Sequence, residues 1–288
     1  MPRPYTVPLP GGRRLPLGPR TLVMGIINVT PDSFSDGGVA LDPAVAIETG
    51  VRMVADGADI LDVGGESTRP GALPLSEAEE RRRVLPVIEG LASRVAVPLS
   101  VDTYKAAIAD AALERGASMV NDISGLRYEP ELAQVVARRH GALVLMHTRG
   151  RSRDMYEGAN YHDVVDEVFD ELRESMAFAL TAGVDSAAII VDPGLGFAKR
   201  PPHSYELLAR LEEFAQLGRP LLVGASRKGF LARSLEREMT EGTRDWATAA
   251  AVAASVLGGA HIVRVHAVAE MVPVVRVADE VRKYHRAF

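Results

Sequence analysis

The chain contains no cysteine, and this absence excludes disulfide scaffolds, thiolate metal sites and cysteine nucleophiles. It also lacks an excess of positive charge, because 33 Lys and Arg residues stand against 38 Asp and Glu residues, for a net charge of −5. Without an overall basic field, neither nucleic acid nor an anionic membrane is expected as a partner. Any anion that the protein binds must therefore be held by a local site.

Long hydrophobic runs are missing as well. The longest weakly polar stretch, WATAAAVAASVLGGA at residues 246–260, is shorter than the roughly 20 residues that a transmembrane helix needs. The amino-terminal segment MPRPYTVPLPGGRR has no apolar segment after its positive charge and does not match a signal peptide. These features predict a soluble, cytoplasmic protein.

What the sequence does contain is an eightfold alternation of a short apolar run, a polar or glycine turn and an amphipathic stretch. The apolar runs lie at residues 21–29, 58–65, 98–103, 119–124, 143–147, 189–194, 220–226 and 261–266. Eight such units without a break in composition predict an α/β fold, a single (β/α)8 barrel over residues 21–288. A doubly wound sheet is the alternative, but it normally has fewer strands. Residues 1–20, with PGG between two apolar segments, predict an N-terminal β-hairpin packed against the barrel.

The predicted strands end mainly in polar and charged residues. In a barrel of this kind the active site lies at the carboxyl ends of the strands, so these side chains should surround one site. In chain order they are Asn28, Glu66 to Arg69, Asp102, Asn121 and Asp122, Met146 and His147, Asp192, Ser226 to Lys228, and Arg264 and His266. Any one of them alone could be a helix cap or an ordinary surface group. Their recurrence on one face favours a binding site.

These residues form two chemical groups. Asp102, Asn121 and Asp192 can pair with the N–H donors of a flat heterocycle that has a guanidine-like edge, and buried carboxylates need such partners. The second group offers positive charge and neutral donors, which suit phosphate or diphosphate oxygens. It consists of Asn28, Arg69, Arg264 and His266. One side of the site thus suits a cationic ring and the other an anionic leaving group.

Taken in order, these segments resemble the dihydropteroate synthases, the pterin-binding enzymes of folate biosynthesis that sulfonamides target. The resemblance covers nearly the whole chain and rests on MGIINVTPDSFSDGG, DVGGESTRPGA, SVDT, VNDISG, MH, DPGLGFAK, GASRKGF and VRVH. It implies a transferase that condenses 6-hydroxymethyl-7,8-dihydropterin diphosphate with 4-aminobenzoate, giving 7,8-dihydropteroate and diphosphate. It also implies Mg²⁺ as cofactor, a homodimer, and sulfonamides as competitors of 4-aminobenzoate.

The resemblance further implies a role for each site residue. The catalytic residues would be Asp102, Lys228 and Arg264. The pterin would be bound by these three with Asn121, Met146, Asp192, Phe197 and Gly224. The diphosphate would be bound by Asn28, Arg69, Arg264 and His266, with Asn28 also as metal ligand. The 4-aminobenzoate would be bound by Thr68, Arg69, Pro70, Phe197, Ser226 and Lys228. Two mobile loops would complete the pocket, with Thr30, Pro31, Asp32, Ser33, Phe34 and Ser35 in the first and Ser67 and Gly71 in the second.

The chemistry of this reaction agrees with the residues present. Diphosphate becomes a good leaving group once Mg²⁺ and hydrogen-bond donors neutralise its charge. Its departure leaves a pterin methylene cation, which a carboxylate such as Asp102 can stabilise. An arylamine is already neutral near pH 7 and needs little help from a general base. We therefore expect an SN1-like substitution without a covalent enzyme intermediate.

Two segments depart from the family pattern. Gly229 stands where the family often has serine, and this difference is expected to bear on an aminobenzoate contact. After His147 the chain reads TRGRSRDMY, in a loop that we expect to matter less. The alternatives to a synthase are a pterin-binding methyltransferase domain, which would not need the NVTPDSFSDGG loop, a non-catalytic pterin-binding homologue and a structural barrel. Diphosphate release that depends on 4-aminobenzoate distinguishes the synthase from them.

Overall fold

The computed structural model of the chain describes residues 2–30, 42–69, 71–233 and 240–284. It begins with an antiparallel hairpin of β1 (Tyr5–Pro8) and β2 (Arg14–Leu17), joined by a 3-10 turn at Pro10–Gly12. The predicted N-terminal hairpin is thus confirmed. Its alternate apolar side chains are buried against the lower interior of the barrel, where they pack with Met24, Ile60 and other inward-facing strand residues. The hairpin therefore covers the amino-terminal end of the barrel.

Eight parallel strands follow the hairpin. They are β3 (Leu22–Asn28), β4 (Ile60–Gly64), β5 (Leu99–Asp102), β6 (Met119–Asp122), β7 (Ala142–Met146), β8 (Ile189–Asp192), β9 (Leu222–Val223) and β10 (Ile262–Val265). The ladder runs from β8 through β7, β6, β5, β4, β3 and β10 to β9. A parallel bridge between Val191 and Leu221 closes the ring, and Val191 N donates to Pro220 O at 3.0 Å. The predicted barrel is therefore confirmed.

Helices separate the strands and cover the outside of the barrel. They are α1 (Pro43–Ala55), α2 (Glu77–Ala92), α3 (Ala106–Glu114), α4 (Leu132–Arg139), α5 (Val164–Thr181), α6 (Pro201–Ala209), α7 (Gly229–Arg233), α8 (Glu241–Leu257) and α9 (Val268–Tyr284). Several begin at side-chain caps, such as Ser76 before α2 and Asp163 before α5, which accept bonds from free backbone amides of the first turn. Among the described residues, no helix is long and apolar enough to cross a membrane.

The core has two layers, separated by the strands. Alternate strand residues such as Val23, Val63 and Val101 face outward and pack against the helices, while Met24 and Ile60 face inward. This alternation follows from the two-residue period of a β-strand. It fixes which side chains at the carboxyl ends reach the interior of the barrel.

Candidate active site

The strand period brings most of the predicted site residues to the same place. Every second residue of a strand faces the barrel interior. Toward the carboxyl ends of the strands, the inward-facing residues are Asn28, Asp62, Asp102, Asn121, Met146, Asp192, Gly224 and Arg264. Asp122 is one residue after the inward-facing Asn121, so its side chain points out of the barrel. Its carboxylate accepts from Ser124 Oγ at 2.7 Å and from Leu126 N at 2.6 Å, and so stabilises a turn outside the site.

The base of the site, which we call the floor, carries Asp62, Asp102, Asn121, Asp192 and Arg264. Arg264 bonds to two of these groups. Its Nε donates to Asp62 Oδ2 at 2.6 Å, and its Nη2 donates to Asp102 Oδ2 at 2.5 Å. Asn121 Nδ2 donates to the same Asp62 oxygen at 3.0 Å. Asp62 is fully buried, and its Oδ1 has no hydrogen-bond partner among the described residues. Two carboxylates thus fix one guanidinium across the barrel interior.

The charges on this floor are perturbed by burial. Burial raises the pKa of Asp102. The Arg264 charge opposes this rise, and the nearby Asp62 carboxylate increases it. Burial also raises the pKa of Asp192 to about 6, against the bond that Gly194 N donates to it at 2.8 Å. The pKa of Lys228 is lowered to about 8 by burial and by the charge of Arg264. Ionisable groups shifted in this way are typical of functional sites.

Apolar side chains line the space above the floor. Met146 and Phe197 are buried and pack in one cluster with Tyr104, Ile123 and Met155. Lys228 Nζ lies 3.7 Å from the centroid of the Phe197 ring. Met155 belongs to the segment TRGRSRDMY, so this departure from the family pattern contributes to the apolar cluster. Apolar side chains beside acidic and amide groups suit a flat ring with a polar edge.

A second group of residues also lies at the carboxyl ends of the strands. Asn28 Nδ2 is 3.4 Å from His266 Nε2, and His266 Nδ1 is 2.9 Å from Ser226 Oγ. The pKa of His266 is lowered to about 3 by burial and by the surrounding positive charges. These charges belong to Arg264, Arg227, Lys228 and Arg69. The histidine is therefore neutral, and the local potential is positive, which suits an anion.

The structure describes only some of the residues of the two predicted loops. Ser67 and Thr68 are half-buried and Arg69 is exposed, in the segment after β4. Gly71 N donates to Ser152 O at 2.9 Å, which attaches this segment to the loop after β7. Thr30 is buried at the end of β3. Pro31, Asp32, Ser33, Phe34, Ser35 and Pro70 lie outside the described residues.

Sequence analysis missed Asp62. It lies in the middle of an apolar strand, whereas the site residues that were predicted lie at or near the strand ends. The two-residue period of the strand could have identified it, because Asp62 lies two residues after the inward-facing Ile60 and must also face inward. Gly229 begins α7, and a Cβ built there would meet nothing within 4 Å, so the described residues give no contact for the serine that often stands there.

The comparisons with known proteins agree with this geometry. A family model described as "Pterin binding enzyme" matches residues 24–266. The dihydropteroate synthase of Synechocystis sp. is 44% identical over 276 residues, covering 96% of this chain and 95% of that protein. The structure of Xanthomonas albilineans dihydropteroate synthase with 4-aminobenzoic acid matches with a TM-score of 0.88 and 43% identity, over 96% of this chain and 99% of that one.

The Yersinia pestis dihydropteroate synthase, solved as a sulfonamide drug complex, matches with a TM-score of 0.90 and 38% identity, over 97% of this chain and 100% of that one. Family model, sequence relatives and solved structures therefore give the same answer over nearly the full length. The chain belongs to the dihydropteroate synthase family of pterin-binding enzymes. The resemblance seen in the sequence is confirmed.

Replacing Asp62 by Asn should destabilise the fold, because Arg264 would keep its charge in a half-buried position with one carboxylate fewer. Since Asp102 and an amide oxygen remain as acceptors, we expect a loss of about 2 kcal/mol in the free energy of unfolding, below the full cost of breaking a buried pair. Urea unfolding measures it. The matched control is Glu48→Gln, which breaks the exposed pair with Arg94 and should leave the urea midpoint unchanged. Equal midpoints for both variants would contradict the role given to Asp62.

Proposed function

We propose that this protein condenses 6-hydroxymethyl-7,8-dihydropterin diphosphate with 4-aminobenzoate to form 7,8-dihydropteroate and diphosphate. The observation that carries the proposal is that two unlike regions lie side by side at the carboxyl ends of the strands. One is the acidic floor, and the other, the cation-rich end, consists of Asn28, His266 and the positive charges around His266. Membership of the dihydropteroate synthase family supports it. The 4-aminobenzoic acid and the sulfonamide drug present in the related structures support the second substrate and its competitors.

We place the pterin ring between Met146 and Phe197, in a position that we call the slot, with the Arg264 guanidinium against its face. Its amino-pyrimidinone edge carries N–H donors that the Asp192 carboxylate needs, because a buried carboxylate without enough donors is costly. Asn121 offers both a donor and an acceptor to the same edge. Asp102 then lies on the floor, where it can face the carbon that loses the diphosphate.

Mg²⁺ fits the cation-rich end as an ion that is bound mainly by the diphosphate of the substrate and only in part by the protein. Among the described residues, no cluster of three or more His, Cys, Asp or Glu side chains could hold a metal. Asn28 directs its Nδ2 toward His266 at 3.4 Å, which leaves its Oδ1 as a hard oxygen ligand. Magnesium bound through phosphate oxygens and few protein groups is common. When bound, it would supply charge neutralisation to the leaving diphosphate.

The residues of the chain then account for each step. The bond between the methylene carbon and oxygen breaks, its electron pair leaves with the diphosphate, and the cations near His266 stabilise that charge. Asp102 stabilises the methylene cation from the floor. The neutral nitrogen of 4-aminobenzoate, held near Phe197, Ser226 and Lys228, forms the new bond and loses its proton to solvent. No covalent bond to the enzyme is needed.

The direct test is release of diphosphate from the dihydropterin diphosphate with Mg²⁺, with and without 4-aminobenzoate. We expect release that requires 4-aminobenzoate, forms dihydropteroate in equal amount and stops when EDTA removes the metal. Pterin binding without release would instead support a methyltransferase or an inactive homologue. Absence of pterin binding would contradict the assignment of the floor.

Asp102→Ala should lower turnover more than pterin binding, because the carboxylate acts mainly on the cation formed during the reaction. We expect kcat to fall about 100-fold or more, the scale of losing one charge-stabilising group, while the dissociation constant of the pterin changes much less. Single-turnover kinetics and calorimetric binding measure the two effects. The control is Asp102→Asn, which keeps an acceptor for Arg264. Equal losses in turnover and binding would contradict the role of Asp102.

We further propose that the protein is a homodimer that associates through α8 and α9. These helices present Leu257, Val277 and Val281 to solvent, with exposed fractions of 39%, 65% and 51%. Together with Ala253, Pro273, Val274 and Ala278 they form one continuous apolar concavity. Clustered exposed apolar groups are typical of protein interfaces. A second copy is the occupant that we propose, because the same face on two copies can pair about a two-fold axis.

Val277→Asp should convert the dimer to a monomer, because two carboxylates would be buried in the contact. Light scattering coupled to size-exclusion chromatography measures the mass directly. The control is Val45→Asp on α1, where Val45 is 48% exposed and does not line the apolar concavity, and this variant should remain a dimer. A monomeric wild type, or a dimeric Val277→Asp variant, would contradict the proposed interface.

A further inference from the structure

Lys199 is a buried cation directly behind the slot between Met146 and Phe197. Its side chain is among the largest that are fully buried, with 1% of the residue exposed. Its Nζ lies 2.8 Å from His147 Nδ1 and donates to Phe197 O at 2.9 Å and to His147 O at 3.3 Å. An ammonium group has three N–H donors, so these three acceptors satisfy it completely.

His147 links this ammonium to a carboxylate. His147 Nε2 lies 3.1 Å from Glu171 Oε2, and Glu171 also accepts from Arg149 Nε at 2.8 Å. Burial and the Lys199 charge lower the pKa of His147 to about 3. The neutral ring therefore donates from Nε2 to Glu171 and accepts at Nδ1 from Lys199. Burial lowers the pKa of Lys199, whereas Asp192 and Glu171 favour its charged form.

The two carbonyl groups that Lys199 binds belong to different segments of the site. His147 follows Met146 at the end of β7, and Phe197 lies in the loop after β8. The segments are also in direct contact, because His147 N donates to Asp192 O at 2.9 Å. Gly194 lies so close that a Cβ there would be 2.0 Å from His147 O. One buried ammonium thus ties together the backbones that carry both apolar walls of the slot.

We infer that Lys199 is a positioning residue, which holds the segments of Met146 and Phe197 in the arrangement that pterin binding requires. The inference deepens the proposed function and rests on it. Without the ammonium, two buried carbonyl groups and the His147 nitrogen lose their donor, and unpaired buried acceptors are costly. The two segments must then move to find other partners, and the walls of the slot move with them. The cation-rich end at Asn28 and His266 does not contact Lys199 and should be unaffected.

The test compares two probes on the full-length protein by titration calorimetry: 6-hydroxymethylpterin for the slot and magnesium diphosphate for the cation-rich end. For Lys199→Met we expect pterin affinity to fall about tenfold or more, since misplacement of binding groups by about 1 Å has effects of this size or larger. Diphosphate affinity should stay within about twofold of the wild type, a difference below roughly half a kcal/mol by the usual conversion.

The matched control is Arg282→Met, which also removes a buried cation that donates to two backbone carbonyls. Arg282 is 5% exposed, and its Nη1 donates to Val256 O at 2.9 Å and Ala260 O at 3.3 Å. Ala260 precedes β10, so this contact lies at the opposite end of the barrel from the site. Arg282→Met should bind both probes as the wild type does, even if its unfolding temperature falls.

Unchanged pterin affinity in Lys199→Met, or an equal loss for both probes, would overturn the inference. If Lys199→Met does not fold, Lys199→Gln takes its place, because its amide keeps two of the three donors and should give a smaller, still selective loss of pterin affinity. A wild type that binds diphosphate but no pterin would overturn the proposed function itself, and the role of Lys199 with it.

Discussion

The ion pairs of Arg264 with Asp62 and Asp102 are the interaction on which the site depends. Arg264 lies 202 residues after Asp62 and 162 after Asp102, so the contact joins the last strand of the barrel to two early ones. Each group would be costly to bury alone, and each is tolerated because the others are present. Pairing of the last strand with the first and assembly of the floor are therefore linked, because Arg264 lies on β10, which pairs with β3.

The two ends of the site use charge in opposite ways. At the floor, buried carboxylates are only partly compensated by the protein, which suits a ring that brings its own N–H donors. At the other end, burial and several nearby cations keep His266 neutral, and the mutual repulsion of these cations is relieved when an anion binds. A substrate with N–H donors on its ring edge and an anionic tail thus matches the site in one orientation.

Most of the fold could be predicted from the sequence, because eight apolar runs separated by amphipathic stretches leave few alternatives to a closed barrel. The ends of the strands gave Asp102, Asn121 and Asp192, but the ends alone could not separate them from Asp122, which points outward. Long-range side-chain contacts were beyond the sequence. Lys199 meets a histidine 52 residues earlier, and no local pattern in GFAK indicates which group a buried lysine will find.

The N-terminal hairpin gives the site a direction. Because Val7, Leu9, Leu15 and Leu17 fill the amino-terminal end of the barrel with apolar side chains, the described residues leave the carboxyl ends of the strands as the way into the barrel interior. The floor residues lie within the strands, whereas Ser226 and Arg69 lie in the segments above them. A group that occupies the floor must therefore pass the segments that carry Ser226 and Arg69. The depth at which each group binds is then a property of the architecture, set before any affinity is considered.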